Sequence, residues 1–244
     1  HKYRIVYSKI EHVMSPSEIQ HPVIRATLLD QYDGKLGLEI HHDGDLPARS
    51  GLGSSSSFAV GFYNTLSTKF GEVKTKRELT DYAIYLEQEL LKEHVGYQDQ
   101  IAVAHGGLNR IVFHPGGGYS VKKIKASPEK VKELSNHLLL FFTGVTRLSS
   151  EVAKKQIDSA SKNRDSLIQM ANMVDDGVNI LENDASSISD FGLLLDEAWN
   201  YKKSLTKAIS NASIDDIYEL AKNAGGIGGK ILGAGGGGFI LFFA

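Results

Sequence analysis

The chain has 244 residues, 41% of them apolar and 23% charged, values of an ordinary globular protein with room for one large domain or two small ones. Its formal charge is −2, and Lys and Arg are spread along the chain rather than gathered into a stripe, which argues against a nucleic-acid partner. Without cysteine there are no disulfides or thiolate metal sites, and no apolar run reaches the ~18 residues of a membrane span, so a cytoplasmic location with no membrane partner is expected.

Tyr3 to Tyr7 reads as a strand, and Pro16 to Leu29 as a helical region opened by Ser15-Pro16-Ser17-Glu18. Leu36, Leu38 and Ile40 alternate with polar or small residues, as in a half-buried strand. After a glycine-serine loop, Phe58, Phe62, Leu66 and Phe70 recur at every fourth position and predict an amphipathic helix. A second helix is expected from Glu78 to Glu93, where Leu79, Tyr82, Ala83, Leu86 and Leu90 form one apolar stripe. Leu108 to Phe113 and Tyr119 to Ile124 read as a hairpin around Pro115-Gly116-Gly117-Gly118.

From about Ser127 the character changes. A buried strand, Leu138 to Phe142, is expected, followed by three or four helical stretches to about Asn223, of which Asp190 to Ile209 is the clearest. The charged segment Lys122 to Pro128 marks the best boundary, which divides the chain into domains 1–126 and 127–244. His1 stands where Met would, and Ala244 lies inside an apolar run, so a trimmed segment is expected.

The loop itself, Pro47-Ala-Arg-Ser-Gly-Leu-Gly-Ser-Ser-Ser-Ser-Phe58, places small residues where backbone must approach an anion closely. Strand, glycine-serine loop and helix follow in the order that an anion site at a helix N-terminus requires, and the serines are expected to cap that helix. Glycine-serine clusters are also ordinary loops; the flanking pattern favours phosphate binding. No Gly-Lys-Ser/Thr ends the loop, so it is not a Walker A motif, and Ser56 stands where the third glycine of a dinucleotide fingerprint belongs.

A second cluster, Gly233-Ala234-Gly235-Gly236-Gly237-Gly238, satisfies Gly-x-Gly-x-x-Gly but runs into the apolar Phe239 to Phe243 rather than into a helix. That context argues against a nicotinamide site and for backbone presented to a neighbour, or for a tight turn between core elements.

Asp99, between two amides in Gly96-Tyr97-Gln98-Asp99-Gln100, could accept a hydroxyl proton or orient the hydroxyl; capping the following helix is the simpler role. Glu87, Glu89 and Glu93 are all candidates to hold Mg²⁺, which takes one or two carboxylates with phosphate oxygens and water. A helical wheel does not choose among them, and for each one alone a solvated surface charge is the simpler reading. His41 and His42 would face opposite ways in a strand and form no metal group, so they read as structural or substrate-side. Arg147, in Thr143-Gly-Val-Thr-Arg147, could hold an anionic group or lie on the surface.

Taken together, Pro47-x-x-x-Gly51-Leu52-Gly53-Ser54-Ser55, Gly96-x-x-Asp99-Gln100 and Lys230-x-x-Gly233-Ala234-Gly235-Gly236-Gly237-Gly238 resemble the three ordered motifs of the GHMP kinases. Within that family, Leu38-Glu-Ile-His-His-Asp-Gly-Asp-Leu-Pro47, Gly-Tyr-Gln-Asp-Gln and Trp199-Asn-Tyr-Lys-Lys203 look most like the D-glycero-D-manno-heptose 7-phosphate kinases.

The resemblance implies an α+β protein in two parts with the site between them, an N-terminal S5-like α/β domain and a C-terminal ferredoxin-like α+β domain. It implies ATP-dependent phosphorylation of the anomeric hydroxyl of a heptose 7-phosphate, on the route to nucleotide-activated heptose for lipopolysaccharide or capsule. ATP phosphates would lie on Pro47, Ser50, Gly51, Leu52, Gly53, Ser54, Ser55, Ser56 and Ser57; Ser55 and Glu87 would hold Mg²⁺, and Asp99 would be the base or electrostatic anchor. Arg147, Gly235 and Gly236 are expected on the substrate side. A galactokinase- or fucokinase-like kinase and a non-catalytic nucleotide-binding regulator are the alternatives. The family's first motif has no match, the family continues beyond the last strand, and Ser56 and Ser57 replace the usual alanines.

Overall fold

The computed structural model describes residues 2–46, 51–93, 95–145 and 149–244. Contacts divide the chain into a first unit of His1–Ala48 with Gly53–His105, and a second of Arg49–Leu52 with Gly106–Ala244.

In the first unit, Tyr3 and Ile5 are buried while Arg4 and Val6 are less so, the alternation of a strand with one face on a core. This strand, β1 (Tyr3–Val6), is central in a three-stranded sheet, antiparallel to β2 (Ile10–Val13) and parallel to β3 (Leu38–His41). The expected helical region is two pieces: a 3-10 turn at Pro16–Glu18 and α1 (Pro22–Gln31), with His21 as N-cap and Pro22 in the first turn. Pro22 fixes the break, because proline is tolerated in a first turn but not in a helix interior.

The helix α2 (Ser54–Lys69) turns Phe62 and Leu66 toward the sheet residues Tyr3, Ile5 and Leu38, and Ala59, Val60 and Tyr63 toward α3 (Lys76–Tyr85). A capping box starts α3, with Thr75 and Glu78 each accepting from the other's backbone N–H. The expected single helix over Glu78 to Glu93 does not form. After Tyr85 the chain widens into a π turn at Leu86–Leu90, closed by Leu91 N–H donating to Leu86 O at 2.9 Å. The apolar run after Gln100 belongs to α4 (Gln98–His105), in which Ile101 is buried.

The second unit carries the expected hairpin, β4 (Asn109–Phe113) against β5 (Tyr119–Lys123), and an antiparallel sheet of β6 (Leu138–Phe142), β8 (Phe239–Phe243) and β7 (Gly228–Ile231), in that order. They are accompanied, among the described residues, by α5 (Pro128–His137), α6 (Ser149–Ser159), α7 (Arg164–Glu182), α8 (Ser189–Leu205) and α9 (Ala212–Asn223). Trp199, Ile214, Tyr218, Ile231, Ile240 and Phe242 form the heart of one core. The close approach of α8 to β7 depends on glycine: a Cβ on Gly228 would stand 2.0 Å from Gly192 O.

The run Leu138 to Phe142 is a strand but not a buried one, since Leu139 to Phe142 are 45–51% exposed. As the edge of its sheet, β6 has a strand neighbour on one side alone among the described residues. A continuous apolar run predicts burial on both faces only where both are covered.

Candidate active site

The phosphate-type loop enters α2 through Gly53, whose φ of +70° lies in the left-handed region, as does Gly51 at +81°. Both glycines therefore adopt the backbone that other residues resist. The expected serine caps are absent. Gly53 itself is the N-cap and no side chain bonds the first turn, because two of the serines are engaged elsewhere.

They are engaged by Glu87, which the π turn carries into the interior at 1% exposure. Ser55 Oγ donates to Glu87 Oε1 at 2.8 Å, Ser56 Oγ donates to Oε2 at 3.0 Å, and Gln100 Nε2 also donates to Oε2. Among the described residues no Lys, Arg or His pairs with this carboxylate. A buried carboxylate to which the described residues offer only neutral donors can take a hard cation as its partner.

The other two glutamates fall elsewhere. Glu89 pairs with Lys92 on the surface at 3.0 Å. Glu93 lies beyond the π turn, its carboxyl pushed up by burial and by the nearby Glu87 charge. The wheel failed to separate the three because the chain leaves α-helical phase at Leu86, one residue before the first of them.

Asp99 sits in the first turn of α4, and a Cβ on Gly53 would stand 3.5 Å from its Oδ2. Part of the side chain is exposed, yet the protein packed around the carboxyl raises its pKa, opposed only by Gln98 Nε2 at 3.4 Å from Oδ1. A carboxylate held above its ordinary range is a better proton acceptor than a surface aspartate.

Within the second unit, the turn Gly233–Gly238 makes several tight backbone contacts. A Cβ on Gly51 would be 2.8 Å from Leu232 O, and one on Gly235 would be 2.9 Å from Ile209 O. Gly236 N–H donates to Ile209 O at 2.8 Å, and Gly238 N–H to Val145 O at 2.7 Å. Lys202 Nζ donates to Gly233 O at 2.6 Å, and burial together with the Lys230 charge pushes its pKa down to about 7.

Pro47, Ser50 and Arg147 lie outside the described residues. Leu52 lies in the loop before the N-cap, and Ser54 and Ser57 lie in the first turns of α2, with Ser57 N–H donating to Gly53 O at 2.9 Å. His41 bonds Glu39 and Arg4, whereas His42 packs on Phe58 with ring centroids 4.3 Å apart. The sequence reading assigned no role to Gln100 or Lys202. For Gln100 the available signal was its place beside Asp99 in a helix's first turn, which points adjacent side chains to different neighbours. Among the described residues no three His, Asp or Glu side chains gather as a metal group; an ion completed by a hydroxyl and phosphate oxygens does not need one.

Two family models match the chain: GHMP kinases N terminal domain over residues 21–107, and GHMP kinases C terminal over 180–244. A D-glycero-alpha-D-manno-heptose 7-phosphate kinase of Campylobacter jejuni is 33% identical over 85% of this chain and 61% of its own length. A bifunctional fucokinase/GDP-fucose pyrophosphorylase of Arabidopsis thaliana is 28% identical over 95% of this chain and 23% of its own. The chain thus spans less than two thirds of either relative. The crystal structure of a D-glycero-D-manno-heptose 1-phosphate kinase from Bacteroides thetaiotaomicron superposes with a TM-score of 0.75, covering 99% of this chain and 72% of that one at 24% identity, a likeness of fold.

Proposed function

Since the chain belongs to the GHMP kinase family, we propose that it transfers the γ-phosphoryl group of ATP to the anomeric hydroxyl of D-glycero-D-manno-heptose 7-phosphate. The carrying observation is the buried Glu87 carboxylate, bonded by Ser55 and Ser56 of the loop helix and by Gln100, the neighbour of Asp99. The heptose assignment is supported by the C. jejuni relative; the identity of the sugar is otherwise a reading of the motifs. Residues 1–126 and 127–244 are proposed as the two domains.

In this reading the backbone N–H groups from Gly51 to Ser56 donate to the phosphate oxygens at the start of α2, where the helix dipole favours negative charge, while Ser57, whose N–H is bonded to Gly53 O, lines the site. Ser55 and Glu87 hold Mg²⁺, which when bound neutralises charge on the phosphates. Asp99 receives or orients the acceptor's hydroxyl proton. The hydroxyl oxygen forms a bond to the γ-phosphorus as the bond to the bridging oxygen breaks, giving the 1,7-bisphosphate and ADP. Such a reaction asks the protein for positioning and charge compensation more than for covalent chemistry. Gly235 and Gly236 belong to the substrate side of this scheme, as does Arg147.

ADP release measured across heptose 7-phosphate, galactose, fucose and mevalonate tests the proposal. Turnover of the heptose phosphate above the others is expected; turnover of fucose or galactose in its place would reassign the acceptor.

A further inference from the structure

Taking Glu87 as the cation's carboxylate, as proposed above, we infer that Gln100 is a positioning residue that, with Ser56, orients Glu87 so that its other oxygen is presented beside Ser55 for the metal. The two carboxylate oxygens are treated differently. Oε2 is held from within by Gln100, 1% exposed, and by the nearer approach of Ser56, 4% exposed, whose Oγ is 3.0 Å from Oε2 and 3.3 Å from Oε1; Oε1 accepts its shortest bond, 2.8 Å, from Ser55, which is exposed. What separates the two oxygens is Gln100, which bonds Oε2 alone, and the exposed Ser55, which bonds Oε1 alone.

The residue type fits this task. A lysine or arginine at position 100 would fix the carboxylate but neutralise it, removing the charge that attracts a cation. An apolar residue would keep the charge but leave Oε2 with Ser56 alone. An amide N–H donor orients without neutralising. Gln100 is not optimised for stability, because its own Oε1 is buried without a partner among the described residues, and an unpaired buried polar atom counts against folding. The neighbouring Asp99 lies against Gly53, so one helical turn sets the direction of both carboxylates.

The test titrates Mg²⁺ against binding of a fluorescent, non-hydrolysed ATP analogue, with thermal melting to verify folding. Gln100→Leu is expected to raise the half-saturating Mg²⁺ concentration by ~10-fold or more, the usual size of such outer-shell effects. Analogue affinity in EDTA should be unchanged. Ser56→Ala should shift the Mg²⁺ midpoint in the same direction, and it decides the matter by the same criterion if Gln100→Leu fails to fold. Glu87→Gln should abolish the Mg²⁺ dependence. If it does and the folded Gln100→Leu protein stays within twofold of the parent, the positioning role is overturned while the metal reading stands. If Glu87→Gln leaves the Mg²⁺ dependence as in the parent, the metal reading falls and this inference with it.

Discussion

Gly53 faces the Asp99 carboxyl: a Cβ added to the glycine would lie 3.5 Å from both Cγ and Oδ2 of the aspartate. The first residue of the helix cap and the proposed base therefore share one surface, and the cap has no side chain to intervene. Gly51, two residues earlier, faces backbone instead, with the Leu232 carbonyl 2.8 Å from its hypothetical Cβ.

The two glycines should respond differently to alanine. Each has a positive φ, which costs an L-residue ~1–2 kcal/mol. Gly53→Ala adds only ordinary contact, whereas Gly51→Ala also drives a methyl into backbone. Urea unfolding is expected to show Gly51→Ala as the more destabilised of the two; equal losses would mean that the close approach to Leu232 does not constrain the chain.

Asp99→Asn should trade activity for stability. Turnover is expected to fall by ~10² or more with nucleotide affinity retained. Burial raises the Asp99 carboxyl, so between the ordinary aspartate value of about 3.9 and its raised folded value the native state binds more protons than the unfolded state. Stability from this group is lost as pH rises through that window. The asparagine variant should accordingly melt above the parent at pH 7, with the gap closing toward pH 4. A gap independent of pH would remove the burial argument.

Lys202 supplies the opposite pH signature. Its pKa is pushed down to about 7, first by burial and then by Lys230, against about 10.4 for an ordinary lysine. Between those values the unfolded chain binds the extra proton, so this group adds stability as pH rises from about 7 toward 10. Replacing it by methionine should flatten the parent's stability profile over that range. Melting curves of parent and Lys202→Met protein at pH 6, 8 and 10 measure this, and parallel profiles would contradict it.

The conformation of the first unit's loop was legible in the sequence, for a physical reason. Gly51, Gly53 and the serines encode a backbone conformation, and such constraints are local in sequence. That Glu87 is buried and Glu89 and Glu93 are not was illegible from periodicity, because the π turn at Leu86–Leu90 breaks the phase on which a wheel depends. The exposure of β6 was hidden as well: an apolar run records what a strand could bury, not which neighbours cover it. Likewise α5, opened by Ser127 and Pro128 with only Lys130 and Leu134 buried, carries too narrow an apolar stripe to stand out beside the strand that follows. Gln100 escaped notice because its task is defined by a carboxylate 13 residues away.

The most direct measurement is ³¹P NMR of the protein that carries this chain, incubated with Mg²⁺, ATP and D-glycero-D-manno-heptose 7-phosphate. The account predicts ADP in step with a new anomeric phosphate ester, the 7-phosphate retained, and both signals lost in Asp99→Asn. ADP accompanied only by inorganic phosphate, or ester formation undiminished in Asp99→Asn, would contradict it.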